Sequence, residues 1–431
     1  MKPLILRGAR QVGKTTAVNL FARQFDQYLK LDLDKPGDAD LFERGLSVQE
    51  LLQAIQLHLN KSRTAGRTLL FLDEIQNSPK AIHAMRYFHE DRVPGLYVAG
   101  AGSLLETLIA RGNVSFPVGR VEYRFMWPLS FLEFLEATGK HDALAYLNSP
   151  SIPDCAHEAL LREFRRYMFV GGMPEVVELY AEESDISALS RLYQSLILSF
   201  QDDVEKYARS GSVATVLRHA IQSLPYEAGR RIRFQGFGNS NYGSREMGEA
   251  LRILEKAMLL HLIYPTTQTK PPLAPNRRRA PRLQFLDTGL LCASIGLQGK
   301  LFEPVEMESV YSGILAEHVT GQELLAQSED ETPPVFWVRE KKQANAEIDF
   351  LIRHQGGVVP LEVKSGRPGS LRSLHTFIEK SGVNTAIRLY SGELHVQEAT
   401  TPGGIPYTLH NLPLYMASRV YDYVNENVRL I

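Results

Sequence analysis

A glycine-bounded loop that directly follows the first apolar segment constrains this chain more than any other feature. Leu4, Ile5 and Leu6 form an apolar run typical of a buried parallel strand, and residues 8–15 read GARQVGKT. Such a loop lets successive backbone amides point at phosphate oxygens, and a helix that begins near Lys14 adds its positive dipole end. The pattern predicts a nucleotide-binding loop; a glycine-rich turn without ligand is the alternative.

Each residue type in this loop has a predicted role. Gly8 and Gly13 make the turns, Lys14 reaches the β and γ phosphates, and the Thr15 hydroxyl ligates magnesium. Thr16 is included among the residues that bind the nucleotide. The cofactors expected are therefore ATP and Mg2+.

A second apolar run, residues 69–72, ends in two carboxylates. The carboxyl ends of parallel strands are where open α/β sheets bind ligands. Asp73 is expected to hold magnesium, directly or through water, and Glu74 to orient and deprotonate the water that attacks the γ-phosphate. The second carboxylate favours hydrolysis over binding alone; an acidic turn that closes a strand is the alternative.

Two further residues are candidates for sensing and for charge stabilisation. Ser103 follows a third apolar run, residues 96–99, and is either a γ-phosphate sensor or the N-cap of a helix. Arg120 is the arginine chosen to stabilise transition-state charge, in cis or from a neighbouring subunit; a surface salt bridge is the competing interpretation. Action in trans requires a homo-oligomer.

Composition limits the class of protein. The 431 residues indicate several domains, and 48 Lys and Arg against 49 Asp and Glu give a net charge of -1, so nucleic-acid binding requires local patches. Cys155 and Cys292 suit neither a disulfide framework nor a thiolate zinc site, and they fit a reducing cytoplasm. No apolar run approaches the roughly 18 residues that span a bilayer, so no membrane association is expected.

Several short motifs, spread over nearly the whole chain, resemble the AAA-related ATPases that carry a C-terminal DUF4143 region. They are GARQVGKT at 8–15, LDEIQ at 72–76, AGSLL at 101–105, PVGR at 117–120, PLSFLEFL at 128–135, GGMPE at 171–175, FLDTGL at 285–290, EIDF at 347–350 and PLEVKSG at 360–366. Members of that family generally have a further helix before the P-loop strand, whereas seven residues precede Gly8 here. We expect either that adenine contacts from that region are missing or that the start is misassigned.

The middle of the chain is expected to be helical and then to form a winged helix. The apolar period of residues 131–207 predicts a helical lid, and two helical stretches followed by the β-like Ile263 and Tyr264 suit a winged helix, as the resemblance also implies. This unit contacts either DNA or other proteins. Two basic clusters are available to phosphates, unless both are solvated loops: Arg230, Arg231 and Arg233, and Lys270 with Arg277, Arg278, Arg279 and Arg282.

Charged side chains alternate with apolar ones in the last region. Asp349, Glu362 and Lys364 follow the pattern D-x12-E-x-K, and Glu317 lies on the inward stripe of a helix. This resembles the PD-(D/E)xK nuclease fold, which implies Glu317, Asp349 and Glu362 as ligands of one or two magnesium ions and Lys364 as a catalytic residue in phosphodiester cleavage. The alternative is a nuclease-like fold retained for binding, with a structural ion pair between Glu362 and Lys364.

The expected fold class is α/β: an AAA-like P-loop NTPase with a parallel sheet, a helical lid, a winged-helix-like unit and a restriction-endonuclease-like α/β domain at the C-terminus. The expected domains are 1–130, 131–208, 209–284 and 285–431. The expected function is Mg-dependent ATP hydrolysis coupled to action on DNA. The alternative is a nucleotide-switched regulator or scaffold whose nuclease-like domain only binds a partner.

Overall fold

The computed structural model divides into two compact units. The first unit contains Met1–Trp127 and two short later segments, and the second unit begins at Pro128 and contains the rest. The residues described are 2–62, 64, 66–102, 119–149, 152–183, 187–208, 210–298, 310–328, 334–339, 346–365 and 371–430.

The first unit is built on a five-stranded sheet in which every pairing is parallel. Its spatial order is β2-β3-β4-β1-β5, so β4 separates the strand before the glycine loop from the strand that ends in Asp73. The predicted α/β class with a parallel sheet is confirmed. The strands are β1 (Leu4–Arg7), β2 (Gln27–Asp32), β3 (Thr68–Asp73), β4 (Leu96–Ala101) and β5 (Glu122–Phe125).

Two helices of the first unit begin at a serine N-cap. Ser47 accepts a hydrogen bond from the amide of Glu50, whose carboxylate bonds back to the Ser47 amide, a reciprocal capping box. The Ser78 hydroxyl caps the next helix by accepting a hydrogen bond from the Ala81 amide, with Pro79 at the first position of that helix. The helices are α1 (Lys14–Phe21), α2 (Pro36–Glu43), α3 (Val48–His58) and α4 (Pro79–Glu90), with 3-10 turns at Ala22–Gln24 and Ile75–Asn77.

The second unit opens with helices, as the apolar period of residues 131–207 predicted. Two helices and an antiparallel pair of strands follow, and the winged-helix assignment of this region stays a prediction. None of the described helices is both long enough and apolar enough to cross a membrane. The elements are α5 (Phe131–Ala137), α6 (His141–Leu147), α7 (Asp154–Val170), α8 (Pro174–Glu183), α9 (Ser190–Tyr207), α10 (Gly211–Glu227), α11 (Ser244–Lys256), β6 (Leu260–Ile263) and β8 (Arg282–Phe285), with 3-10 turns at Ser187–Leu189 and Phe237–Asn239.

A mixed seven-stranded sheet forms the C-terminal part of the second unit. Its order is β13-β14-β12-β11-β10-β9-β7, and β10 pairs antiparallel with both of its neighbours. The strands are β7 (Pro265–Thr266), β9 (Val335–Val338), β10 (Glu347–His354), β11 (Gly357–Val363), β12 (Thr385–Tyr390), β13 (His395–Thr400) and β14 (Pro406–Pro413). The helices are α12 (Thr288–Ser294), α13 (Val310–Ala326), α14 (Arg372–Ser381) and α15 (Val420–Asn427), with a 3-10 segment at Leu414–Arg419.

Three of the quoted motifs meet in a buried polar network of the second unit. The Asp287 carboxylate accepts hydrogen bonds from the amides of Gly172, at 2.6 Å, and Leu290, at 2.9 Å. The Glu323 carboxylate accepts from the Tyr167 hydroxyl, at 2.6 Å, and the Phe131 amide, at 3.0 Å. Burial raises the pKa of Asp287 to about 6, although its backbone donors oppose the shift. These motifs therefore have a packing role: they join α5, α7, α12 and α13.

Candidate nucleotide site and carboxylate cluster

The loop between β1 and α1 needs both of its glycines. Gly13 has φ 88°, in the left-handed region that favours glycine. A Cβ added at Gly8 would lie 2.5 Å from the Met126 carbonyl oxygen, so no larger residue fits there. The chain thus turns tightly from β1 into the N-terminus of α1, as the motif predicted.

Lys14 folds back over this loop. Its Nζ donates to the carbonyl oxygens of Gly8, at 3.0 Å, and Ala9, at 2.7 Å. Burial lowers the pKa of Lys14 to about 8, and the carboxylates of Glu74 and Asp73 oppose that shift. The ammonium therefore lies inside the loop, where phosphate oxygens are expected, and it is easier to deprotonate than an exposed lysine.

Asp73 lies against two polar side chains from other elements. The Thr15 hydroxyl donates to its two carboxylate oxygens at 3.1 and 3.0 Å. The Lys30 ammonium on β2 lies 3.2 Å from Asp73 Oδ2, and the Lys30 side chain is 34% exposed. A hydroxyl and a carboxylate are hard oxygen donors of the kind that Mg2+ prefers.

Glu74 has an unusual backbone conformation for its residue type. It has φ 50° and ψ 43°, a left-handed conformation that costs a non-glycine residue about 1 kcal/mol or more. Its carboxylate accepts a hydrogen bond from Gln76 Nε2, and its amide bonds to Asp73 Oδ1 at 3.2 Å. The turn therefore places the Glu74 backbone amide beside the Asp73 carboxylate and its side chain in contact with Gln76.

Three other residues were predicted for the nucleotide site: Thr16, Arg120 and Ser103. Thr16 is exposed on α1. Arg120 forms an ion pair with Glu90, which also pairs with Arg86 at 2.9 Å. This is the salt bridge weighed as the alternative for Arg120. Ser103 lies outside the described residues.

In the second unit the structure brings Glu362 and Lys364 together, and each predicted carboxylate contacts a cation or an amide donor of the same chain. Lys364 Nζ lies 2.5 Å from Glu362 Oε1. Asp349 Oδ2 accepts the Val363 amide at 2.8 Å. Glu317 pairs with Arg282 at 3.4 Å. Among the described residues, no group of three or more His, Cys, Asp or Glu side chains has the arrangement of a metal site.

Arg282 is the centre of this cluster. Its Nη2 lies 2.6 Å from Glu347 Oε1 and 3.6 Å from Asp349 Oδ1, and its Nη1 donates to the Asp349 carbonyl oxygen at 3.3 Å. The rings of Phe336 and Phe350 lie 4.9 and 5.8 Å from its guanidinium carbon. Arg282 was expected in an exposed basic loop, and that expectation is wrong, because the residue is 6% exposed at the start of β8.

Burial shifts the pKa values of two carboxyl groups in the cluster. Burial raises the pKa of Glu317 and of Glu362, and the Asp349 charge adds to both shifts. Salt bridges to Arg282 and Lys364 oppose the shifts. The two carboxylates therefore hold protons more tightly than free glutamate does.

The other predicted basic residues differ in whether an acidic side chain lies beside them. Arg231 is exposed but lies 3.6 Å from Glu347 Oε2, so its charge is partly matched within the chain. Lys270 and residues 277–279 are exposed in the loop between β7 and β8, where Arg277 lies 5.7 Å from the Tyr264 ring. This loop keeps the exposed positive charge that the sequence predicted.

Three family models match consecutive parts of the chain. An AAA domain matches residues 1–135, and the domains of unknown function DUF8612 and DUF4143 match residues 161–301 and 312–408. The chain combines an AAA domain with a DUF4143 domain. The Lys14 and Asp73 group thus lies in the AAA domain, and the predicted resemblance to DUF4143-containing ATPases is confirmed.

Solved structures similar to this chain include a Walker-type ATPase of Pyrococcus abyssi, 14% identical, with 68% of this chain and 91% of that one covered and a TM-score of 0.44. RuvB of Thermotoga maritima is 14% identical, with 64% and 85% covered and a TM-score of 0.25. The ORC2 protein of Aeropyrum pernix is 10% identical, with 70% and 89% covered and a TM-score of 0.29. A search of curated proteins found no match.

Reasoning from the sequence missed three residues of these sites. Lys30 and Gln76 contact Asp73 and Glu74, and Arg282 contacts three carboxylates. The parallel pairing of β2 with β3 brings Lys30 to Asp73, and a lysine in an alternating strand carries no signal of that pairing. The Pro-Arg composition before Arg282 indicated a loop, although the apolar residues after it are those of a strand.

Proposed function

We propose that the AAA domain hydrolyses ATP with Mg2+. The observation that carries the proposal is the hydrogen bond from the Thr15 hydroxyl to Asp73 Oδ2, at 3.0 Å. It lies next to the loop whose carbonyl oxygens contact the Lys14 ammonium. The AAA family model, which covers these residues, supports ATP binding by this domain. Hydrolysis is the further step, which Glu74 beside Asp73 supports.

The residues suit distinct parts of this reaction. Loop amides between Gly8 and Thr15 and the Lys14 ammonium would hold the β and γ phosphates. Thr15 and Asp73 would hold Mg2+, which when bound neutralises phosphate charge. Glu74 would orient the attacking water and take its proton.

The experiment measures retention of labelled ATP and release of inorganic phosphate at millimolar Mg2+. Lys14→Ala removes the ammonium in the loop, so we expect phosphate release to fall at least 100-fold, as loss of a charged phosphate contact implies. Lys80→Ala is the matched control, because Lys80 is an exposed lysine paired with Glu43 on the surface of α4. A wild-type protein that neither binds ATP nor releases phosphate would refute the proposal.

We propose further that the exposed loop with Lys270 and residues 277–279 contacts nucleic-acid phosphates, which would let the predicted winged helix act on DNA. Exposed arginines attract phosphates in a salt-dependent way. Replacing Arg277 and Arg278 by serine should weaken duplex binding in fluorescence anisotropy and flatten its salt dependence. Replacing Arg162 and Arg165, two exposed arginines of α7, makes the same charge change and should leave binding unaltered. Equal loss with both pairs would assign the binding to net charge alone.

For the C-terminal cluster, we propose partner binding and nucleotide-switched regulation in place of DNA cleavage. The ion pair between Lys364 and Glu362 favours this second function, because it neutralises the lysine assigned to cleavage. The decisive assay incubates plasmid with Mg2+ and ATP. Cleavage by the wild type that Glu362→Ala abolishes would restore the nuclease assignment.

Mass measurement with and without a slowly hydrolysed ATP analogue tests whether Arg120 could act in a homo-oligomer.

A further inference from the structure

The carboxylates predicted to bind metal are satisfied by cationic side chains of the same chain. Asp349 from β10 and Glu317 from α13 both face Arg282, while Glu362 from β11 faces Lys364. Glu347, also on β10, takes the shortest contact to Arg282, at 2.6 Å. Of the three predicted metal ligands, two therefore pair with Arg282 and the third pairs with Lys364.

Arg282 is built into this position. Its guanidinium contacts three carboxylates and lies 4.9 and 5.8 Å from the centres of the Phe336 and Phe350 rings, and its side chain is 8% exposed. A planar guanidinium with five donors can serve several carboxylates at once, which an ammonium cannot do as well. Removing it would leave buried negative charge, so the arrangement holds it firmly.

Arg282 also comes from a different part of the chain than the carboxylates it contacts. It lies within residues 161–301, which match DUF8612, whereas Glu317, Asp349 and Glu362 lie within residues 312–408, which match DUF4143. The strand that carries Arg282, β8, pairs with β6 and belongs to a separate two-stranded sheet. The counter-ion is thus supplied to the DUF4143 domain by a neighbouring region of the chain.

A divalent cation does not fit beside this guanidinium. Magnesium needs near-octahedral oxygen ligands at about 2.1 Å, so shared ligands must converge on one point. Here the Glu317 and Asp349 carboxylates both form ion pairs with one guanidinium, at 3.4 and 3.6 Å, and no described group of acidic residues is arranged as a metal site.

We infer that Arg282 takes the place of a divalent cation among Glu317, Glu347 and Asp349, so that the DUF4143 domain binds no metal at this cluster while Arg282 is present. The inference concerns the carboxylates alone and is independent of the proposed ATPase activity. Its consequence is that replacing Arg282 with a neutral side chain creates a cation site.

Binding of Mn2+, followed by the loss of the free-ion signal in electron paramagnetic resonance, tests this inference. All variants carry Asp73→Asn, which removes the metal ligand proposed for the AAA domain. We expect Arg282→Gln to bind about one Mn2+ at least tenfold more tightly than its Arg282 parent, and added Asp349→Asn to abolish that gain. Arg353→Gln is the matched control, because it removes an exposed arginine from β10 and should gain nothing.

Two results would overturn the inference. One is Mn2+ binding by the Asp73→Asn parent, with Arg282 intact, that Asp349→Asn removes. The other is a folded Arg282→Gln variant that gains no Mn2+. Should Arg282→Gln not fold, the comparison of the Asp73→Asn parent with its Asp349→Asn derivative still decides, since both keep Arg282.

Discussion

In the AAA domain the Asp73 carboxylate contacts a hydroxyl and a partly exposed lysine, whereas in the DUF4143 domain Asp349 contacts a buried arginine. Both aspartates lie near a glutamate and a lysine, and both were expected to hold Mg2+. Lys30 is 34% exposed and makes a single contact to Asp73, so an incoming cation can displace it. Arg282 contacts three carboxylates and is 8% exposed. The same acidic residue types therefore imply a metal site only where their counter-ion can leave.

The largest expected difference between the two sites is catalytic. Glu74→Gln should lower the rate of phosphate release by about 1000-fold with ATP binding retained, because it removes the proposed base. Glu362→Gln makes the same chemical change in the other cluster and should leave that rate unaltered. Steady-state phosphate release and ATP binding measure both. Equal losses of phosphate release in the two variants would contradict the assignment of hydrolysis to the AAA domain alone.

The second difference is in stability. Arg282→Ala should lower the free energy of unfolding of the second unit by about 3 kcal/mol, because it leaves the buried Asp349 carboxylate and the partly exposed Glu317 and Glu347 without their partner. Lys30→Ala should change stability by less than about 1 kcal/mol, since its ion pair is partly exposed. Urea unfolding followed by fluorescence of Trp337, in a Trp127→Phe background, reports the first of these. A small effect of Arg282→Ala would show that the arginine is easily displaced.

The third prediction concerns the uptake of a proton when ATP binds. Burial lowers the pKa of Lys14 to about 8, so above that pH the free protein carries a neutral amine. A bound triphosphate favours the ammonium, so binding takes up a proton and ATP affinity falls, by at most about tenfold per pH unit, as the pH rises beyond 8. Calorimetry in buffers of different ionisation enthalpy should find uptake near one proton at pH 9 and much less at pH 7. Equal uptake at both pH values would contradict the role of Lys14.

The smallest expected effect is on the magnesium requirement. Lys30→Met should lower the Mg2+ concentration for half-maximal phosphate release by about threefold, because the ammonium no longer competes for Asp73. Lys35→Met is the control, since Lys35 pairs with Asp32 and is 71% exposed. A raised requirement in Lys30→Met would instead mean that Lys30 helps to hold the metal or the phosphates.

Local sequence predicted the geometry of the candidate nucleotide site because its parts are contiguous. The turn at Gly8 and Gly13, the helix at Lys14 and the strand that ends in Asp73 each depend on neighbouring residues. The carboxyl ends of parallel strands meet at one edge of a sheet, which is why Thr15 and Asp73 were expected together and lie together. The roles of Thr16, Ser103 and Arg120 stay predictions.

The C-terminal cluster was predicted less well because its decisive partner is distant in sequence. Asp349 and Glu362 lie on two neighbouring strands, Lys364 directly follows the second strand, and their proximity followed from the pattern. Arg282 is 67 residues away from Asp349 and on another sheet. A pattern of acids and lysine does not reveal which cation neutralises the acids, because that depends on tertiary packing.

The origin of Arg282 outside the DUF4143 match affects any work on that domain by itself. A fragment excised at residue 312 would keep Glu317, Glu347 and Asp349 but lose the positive charge that neutralises them. We expect such a fragment to bind metal cations from solution or to misfold. A metal-dependent activity seen only in the fragment would then result from the excision.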